Sequence, residues 1–192
     1  MMPDLDSLRE RAWNYLNPKR IPHVAGCEKE AVKLAERWGE DVRDAAVAGM
    51  LHDCTKKLSY PEHLAIILED GCEVPEELLA EKKLLHAVTG AIVARRDFDV
   101  SEKIASAIRW HTTGKPEMSL LEKIIYLADY IEETRDFEDV DKLRAAAYKN
   151  IDEAMALGLR MSAENIRERG TEPYVDSLLA MNYYLNLINR KE

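Results

Sequence analysis

Apolar residues recur every three to four positions along almost the whole chain, and no stretch sustains the alternation of a half-buried strand. That periodicity confines the chain to an all-α fold. Leu5, Leu8, Ala12, Tyr15 and Leu16 trace a first amphipathic helix, which Asn17-Pro18 ends. A basic link from Lys19 to Pro22 leads into a helix predicted from about His23 to Trp38, with Ala31, Leu34, Ala35 and Trp38 on one face and Gly39 as its stop. A buried-looking helix covers roughly Asp41 to Cys54. Ser59-Tyr60-Pro61-Glu62 starts another that runs to about Glu69, Gly71 closes it, and a short helical piece opens at Val74-Pro75-Glu76-Glu77. Helices follow from about Lys83 to Arg95, from an Asp99 or Ser101 cap to His111-Thr112-Thr113-Gly114, and from Ser119 through Ile131. A longer one is predicted at about Val140 to Leu159, and a last one from Thr171-Glu172-Pro173 onward. No repeat, low-complexity tract or linker interrupts the series, so the 192 residues read as one domain.

The net charge of −9 argues against DNA or RNA as a bulk polyanionic partner, while leaving room for a local basic pocket facing a small phosphorylated ligand. Cys27, Cys54 and Cys72 are odd in number and form no CxxC or zinc-finger spacing, which favours free thiols in a reducing compartment. The first residues lack an apolar signal core, and no run approaches the ~20 apolar residues of a membrane span. The expected location is the cytoplasm, with no membrane partner.

Chemistry concentrates where the apolar run Ala45 to Leu51 delivers His52 and Asp53 side by side, with Lys56 and Lys57 just behind. Burying an imidazole beside a carboxylate is costly unless something compensates both, and a metal ion does so. Further donors stand at helix-hairpin intervals: His23, His86, His111 and Asp129. A helix plus its turn takes roughly 15–20 residues, so each donor falls on or beside a different helix and all six could converge in a bundle core. Imidazoles and carboxylates together suit divalent iron, manganese, cobalt, nickel or zinc. A carboxylate can also bridge two ions, and a pair of ions clamps an in-line phosphoryl displacement.

The order His23, His52-Asp53, Asp129 resembles the H…HD…D signature of the HD-domain superfamily of metal-dependent phosphohydrolases, and His86 and His111 resemble its two-metal subset. The segments RIPHVAGC, GMLHDCTKKL, LLHAVTGA, IRWHTTG and YLADYIEETRDF together resemble the YqeK family, over about Arg20 to Phe137. The resemblance implies a single-domain helical bundle over 1–192, with a metal-binding core at about 18–137 and C-terminal helices at 138–192 completing it. It implies symmetrical hydrolysis of dinucleoside tetraphosphates to two nucleoside diphosphates, two divalent ions with iron first among them, and a water or hydroxide between them as nucleophile. By the same resemblance His23, His52, Asp53 and Asp129 hold one ion; Asp53, His86 and His111 hold the other, with Asp53 bridging. Lys56 meets a phosphate or neutralises the site, Thr113 and Gly114 line it, and Arg20 and Arg135 contact the polyphosphate. The chain departs from the family at Glu133, where a proline often follows the Ile-Glu of the Asp129 helix; that touches the path to Arg135 and not the metal ligands.

Plainer readings stand beside each of these. A lone helical histidine is usually a hydrogen-bonded or surface residue; six donors in the right order are not. Asp129 could sit on a helix surface, but Leu127, Ala128 and Ile131 argue for a buried side. Cys54 reads as a small buried hydrophobe, Lys57 as a solvated helix-end charge, and Trp110 as core, with Arg109 beside it. His63 matches no motif and is expected to be solvent-exposed. The apolar last helix, from Tyr174 to Ile188, serves either core packing or a homodimer face. Rival functions are another HD-type nucleotide phosphohydrolase or phosphodiesterase, and a non-catalytic metal- or nucleotide-binding regulator.

Overall fold

The computed structural model describes residues 4–190, and among them there are helices and turns but no strand. The chain runs through α1 (Leu5–Tyr15), a 3-10 turn (Pro18–Arg20), α2 (Ile21–Trp38), α3 (Val42–Leu51), α4 (Tyr60–Asp70), α5 (Glu76–Ala80), α6 (Leu85–Phe98), α7 (Glu102–Trp110), α8 (Leu120–Ile131), α9 (Val140–Lys149), α10 (Ile151–Glu168) and α11 (Val175–Asn189). Side-chain caps set several starts. Asp4 accepts from the amides of Asp6 and Ser7, Asp41 from that of Asp44, and Ser119 and Glu122 cap α8 reciprocally. Gly39 and Gly71, both left-handed, end α2 and α4.

Helices α2, α3, α7 and α8 pack on one another as the centre of the bundle, with α6 against α7 and the α10–α11 pair joined to α8. Every residue of α3 from Ala45 to Leu51 is buried. Gly49 permits this depth: a Cβ there would lie 2.9 Å from the Glu28 Cα of α2. A satellite cluster of Ile67, Leu78, Leu85, Val88 and Ile92 fastens α4 and α5 to α6. Among the described residues, no helix is long and apolar enough to cross a membrane.

Several boundaries differ from expectation, each for a local reason. The buried helix stops at Leu51, not Cys54, and residues 52–57 wind through tight turns in which Cys54, Lys56 and Leu58 donate to carbonyls three residues back. The expected helix over Val140 to Leu159 is two, because Asn150 adopts an extended conformation and its side chain accepts from the amides of Asp152 and Glu153, restarting the chain as α10. Ser101 caps α7 while Asp99, left-handed, ends α6. The last helix begins at Val175; its Ala180 and Tyr184 are buried, while Val175 and Leu179 stay exposed.

Candidate metal centre

His23 comes from the first turn of α2, His52 and Asp53 from the turn after α3, His86 from the start of α6, His111 from the residue after α7, and Asp129 from the last turns of α8. Five elements thus bring all six expected donors to one place. Asp129 is partly exposed and the other five are buried.

The imidazoles are oriented by a repeated device. His52 Nδ1 donates to the Gly49 carbonyl at 2.7 Å, His86 Nδ1 to that of Lys83 at 2.8 Å, and His111 Nδ1 to that of Ile108 at 2.7 Å, each three residues back. His23 Nδ1 instead donates to Glu132 Oε1 at 3.0 Å. Every Nδ1 proton is therefore spoken for, and each Nε2 lone pair is turned into the shared space.

There the donors fall into two sets around Asp53. His23 Nε2 lies 3.3 Å from His52 Nε2 and 3.1 Å from Asp129 Oδ1, and Asp53 Oδ2 is 3.6 Å from His52 Nε2. On the other side, His86 Nε2 lies 3.1 Å from His111 Nε2, and Asp53 Oδ1 is 3.3 and 3.7 Å from the two. Metal bonds of about 2.1 Å put neighbouring ligands of an octahedron about 3.0 Å apart, so these separations suit divalent ions. Two lone pairs aimed at each other at such distances repel unless a cation lies between them. The donor set fits two ions, with Asp53 presenting one oxygen to each set.

The electrostatics agree. Burial pushes His52 and His86 down to about 4, so both rings are neutral at neutral pH, the form in which an imidazole can bind a metal. Burial alone would raise Asp53, but the neighbouring His52, His111 and His86 rings and the Lys56 ammonium outweigh it and hold the carboxyl well below its usual range. Asp129 is likewise held low against the opposing effect of burial, by the adjacent imidazoles of His23, His52 and His111.

Cationic side chains surround the carboxylates. Arg20 pairs with Asp53 Oδ2, and Arg135 donates through Nη2 to Asp129 Oδ1 at 2.6 Å and through Nε to the Asp129 carbonyl at 2.8 Å. Lys56 Nζ donates to His86 Nε2 at 2.9 Å and lies 3.8 Å from Asp53 Oδ1. Two polar atoms here, Arg20 Nε and Thr112 Oγ1 beside His111, are buried with no protein partner. Thr113 and Gly114 do not join this network: the Thr113 hydroxyl donates to the Gly114 carbonyl, and Gly114 packs against Leu159, Met118 and Ala180.

Sequence reasoning missed Glu132, which reads as a surface charge at a helix end. It is fully buried, accepts from the Thr134 amide at 2.7 Å and hydroxyl at 2.6 Å as well as from His23, and fills the space that Gly26 leaves open; a Cβ on Gly26 would lie 2.4 Å from Glu132 Oε2. The signal available was a glycine one turn after His23. Arg144 was also missed; it ties down the loop after α8 by donating to the carbonyls of Ile131, Glu132 and Arg135. His63 corrects the expectation of exposure. It is buried and donates from Nδ1 to the Thr89 hydroxyl at 2.8 Å, which lies 2.9 Å from that of Thr55, itself a donor to the His86 carbonyl.

Comparison with known proteins gives a consistent answer. The HD domain family matches residues 20–134. A protein of Bacillus subtilis (strain 168) named "Bis(5'-nucleosyl)-tetraphosphatase, symmetrical" is 35% identical over 173 residues, covering 89% of this chain and 92% of its own. A protein of the same name from Halalkalibacterium halodurans is 36% identical over 172 residues, covering 89% and 91%. A crystal structure from Clostridium acetobutylicum, described as a predicted HD superfamily hydrolase involved in NAD metabolism, superposes with a TM-score of 0.91 at 36% identity, over 97% of this chain and 99% of that one.

Proposed function

The chain belongs to the HD domain family, and on that premise we propose that it hydrolyses diadenosine tetraphosphate and related dinucleoside polyphosphates symmetrically, releasing two nucleoside diphosphates. The observation that carries this reading is Asp53, whose two oxygens face two different histidine pairs. The near-full-length similarity to two proteins named symmetrical tetraphosphatases supplies the substrate class. His23, His52, Asp53 and Asp129 would hold one divalent ion, and Asp53, His86 and His111 a second, with iron the first candidate in both. Such a pair supplies Lewis acidity and lowers the pKa of a water at neutral pH.

The chain's own residues account for the rest. Arg20, Arg135 and Lys56 present three cationic groups at the donor cluster of a protein whose net charge is −9, so phosphates are drawn to this spot and not to the surface at large. With cations on the carboxylates of Asp53 and Asp129, the guanidinium groups of Arg20 and Arg135 would be free to meet the substrate's phosphates, with Arg20 Nε already unpartnered. Lys56, whose charge burial disfavours, reaches the Asp53–His86 side and neutralises charge that builds up on a leaving diphosphate. Thr113 and Gly114 then contribute through the shape of the turn that carries His111.

Product chromatography tests the reading directly. Anaerobically prepared, iron-loaded protein incubated with diadenosine tetraphosphate is expected to give ADP alone. ATP plus AMP would overturn symmetrical attack, and metal uptake with no turnover would turn the assignment to another HD-type nucleotide phosphohydrolase.

A further inference from the structure

Beside Asp129, a cleft of about 440 Å³ opens between the loop after α8 and the C-terminal half of α10, a volume typical of small-molecule sites. Arg135 belongs to both places: it lines the cleft and donates to the Asp129 carboxylate at 2.6 Å. The Arg135 guanidinium thus stands between the cleft and the donor cluster and touches both.

Its lining differs from that of the cluster. Tyr130 and Phe137, both half-buried, line it as a stacked pair with ring centroids 5.0 Å apart and planes at 23°. Asn165 lines it from α10, exposed, between Glu164 and Glu168, with Glu138 and Asp139 on the opposite loop and Arg169 at the end of the helix. Carboxylates repel further phosphates but accept hydrogen bonds from hydroxyl groups, an aromatic pair offers a face to a planar ring, and a carboxamide both donates to and accepts from a base edge. A planar heterocycle on a hydroxyl-rich sugar, joined at one end to a phosphate that Arg135 meets, satisfies all three.

We propose that this cleft is a nucleoside subsite: it takes one base and ribose of the substrate, the base laid against the Tyr130–Phe137 pair and read by Asn165, while the phosphate chain runs past Arg135 to the donor cluster. The proposal rests on the dinucleoside polyphosphate reading above. It assigns the loop after α8 and the C-terminal half of α10 to substrate recognition, residues that apart from Tyr130 lie outside the matched 20–134.

Calorimetric titration of the metal-loaded protein with two probes, ADP and inorganic pyrophosphate, tests it. Asn165→Ala and Phe137→Ala are each expected to weaken ADP binding about tenfold, the scale of one lost base contact, while pyrophosphate affinity moves less than twofold. Asn165 is exposed, so its variant keeps the test valid even where Phe137→Ala fails to fold. Unchanged ADP affinity in the Asn165 variant, or an equal loss for both probes, would overturn the subsite. Turnover by the unaltered protein is scored separately: without cleavage of diadenosine tetraphosphate the tetraphosphatase reading falls, whereas an ADP-selective loss would still establish a nucleoside site.

Discussion

His23 differs from the other three histidines of the donor cluster in one respect: its Nδ1 proton goes to a carboxylate and not to a carbonyl three residues back. Glu132 therefore fixes the His23 tautomer and raises the basicity of its Nε2, as carboxylates behind metal-bound histidines do. Glu132→Gln keeps an acceptor but removes the charge. Metal titration should show roughly a tenfold weaker affinity at one of two ions, with stoichiometry otherwise kept; equal affinity at both would make Glu132 a packing residue only. His63 carries a different prediction. Burial and the Lys56 ammonium lower its pKa, against the opposing pull of Glu62, so the unfolded chain, titrating near 6.5, takes up the proton first. Its contribution to stability is present above about pH 6.5 and is lost as pH falls from there through the folded value. His63→Gln should flatten the fall in stability of metal-stripped protein between pH 7.5 and 5.5, by at most about 1.4 kcal/mol per pH unit. Parallel profiles would contradict a neutral, buried His63.

Among the elements, the α2–α3 contact governs the site, because His23 and the His52-Asp53 turn are carried on either side of it. Gly49 has no spare room at this contact, and its carbonyl also holds His52. Gly49→Ala should cost about 1–3 kcal/mol in urea unfolding, the usual price of overpacking; a neutral result would mean the helices separate freely here. This arrangement was largely legible beforehand. Ala45 to Leu51 has no polar face, so the helix carrying it had to be central, and each donor follows or sits within an apolar helical run. Less local features escaped. The break at Asn150 is invisible to periodicity, because apolar positions continue on both sides and only the cap geometry stops the helix. His63 and Glu132 look like surface charges near helix ends; burial comes from α6 packing over the first and from the Gly26 gap enclosing the second, both contacts between residues far apart in sequence.

For the whole molecule, the donor cluster joins five elements at one point, while other ties hold the periphery. Trp38 Nε1 donates to the Ala147 carbonyl, Arg37 to that of Tyr148, and the Tyr184 hydroxyl accepts from the Met118 amide, fixing α9 to α2 and α11 to the loop before α8. The helices thus have hydrophobic and hydrogen-bonded contacts of their own, and removing metal should leave a folded chain with weaker coupling at its centre. An ion that binds only the folded state adds about 2.7 kcal/mol at a free concentration 100 times its Kd. For a chain of this size each kcal/mol moves Tm by about 2–4 °C, so chelation should lower Tm by roughly 5–10 °C for one such site while helicity by circular dichroism persists below the transition. The division of donors around Asp53 makes this finer. A His86→Ala/His111→Ala variant strips one set and leaves His23, His52, Asp129 and Asp53 Oδ2 in place, so it should keep one ion per chain and a part of the metal-dependent Tm shift, yet lose turnover. Loss of both ions would mean that the two sets fill as a unit through Asp53, and retention of full turnover would remove the two-ion reading.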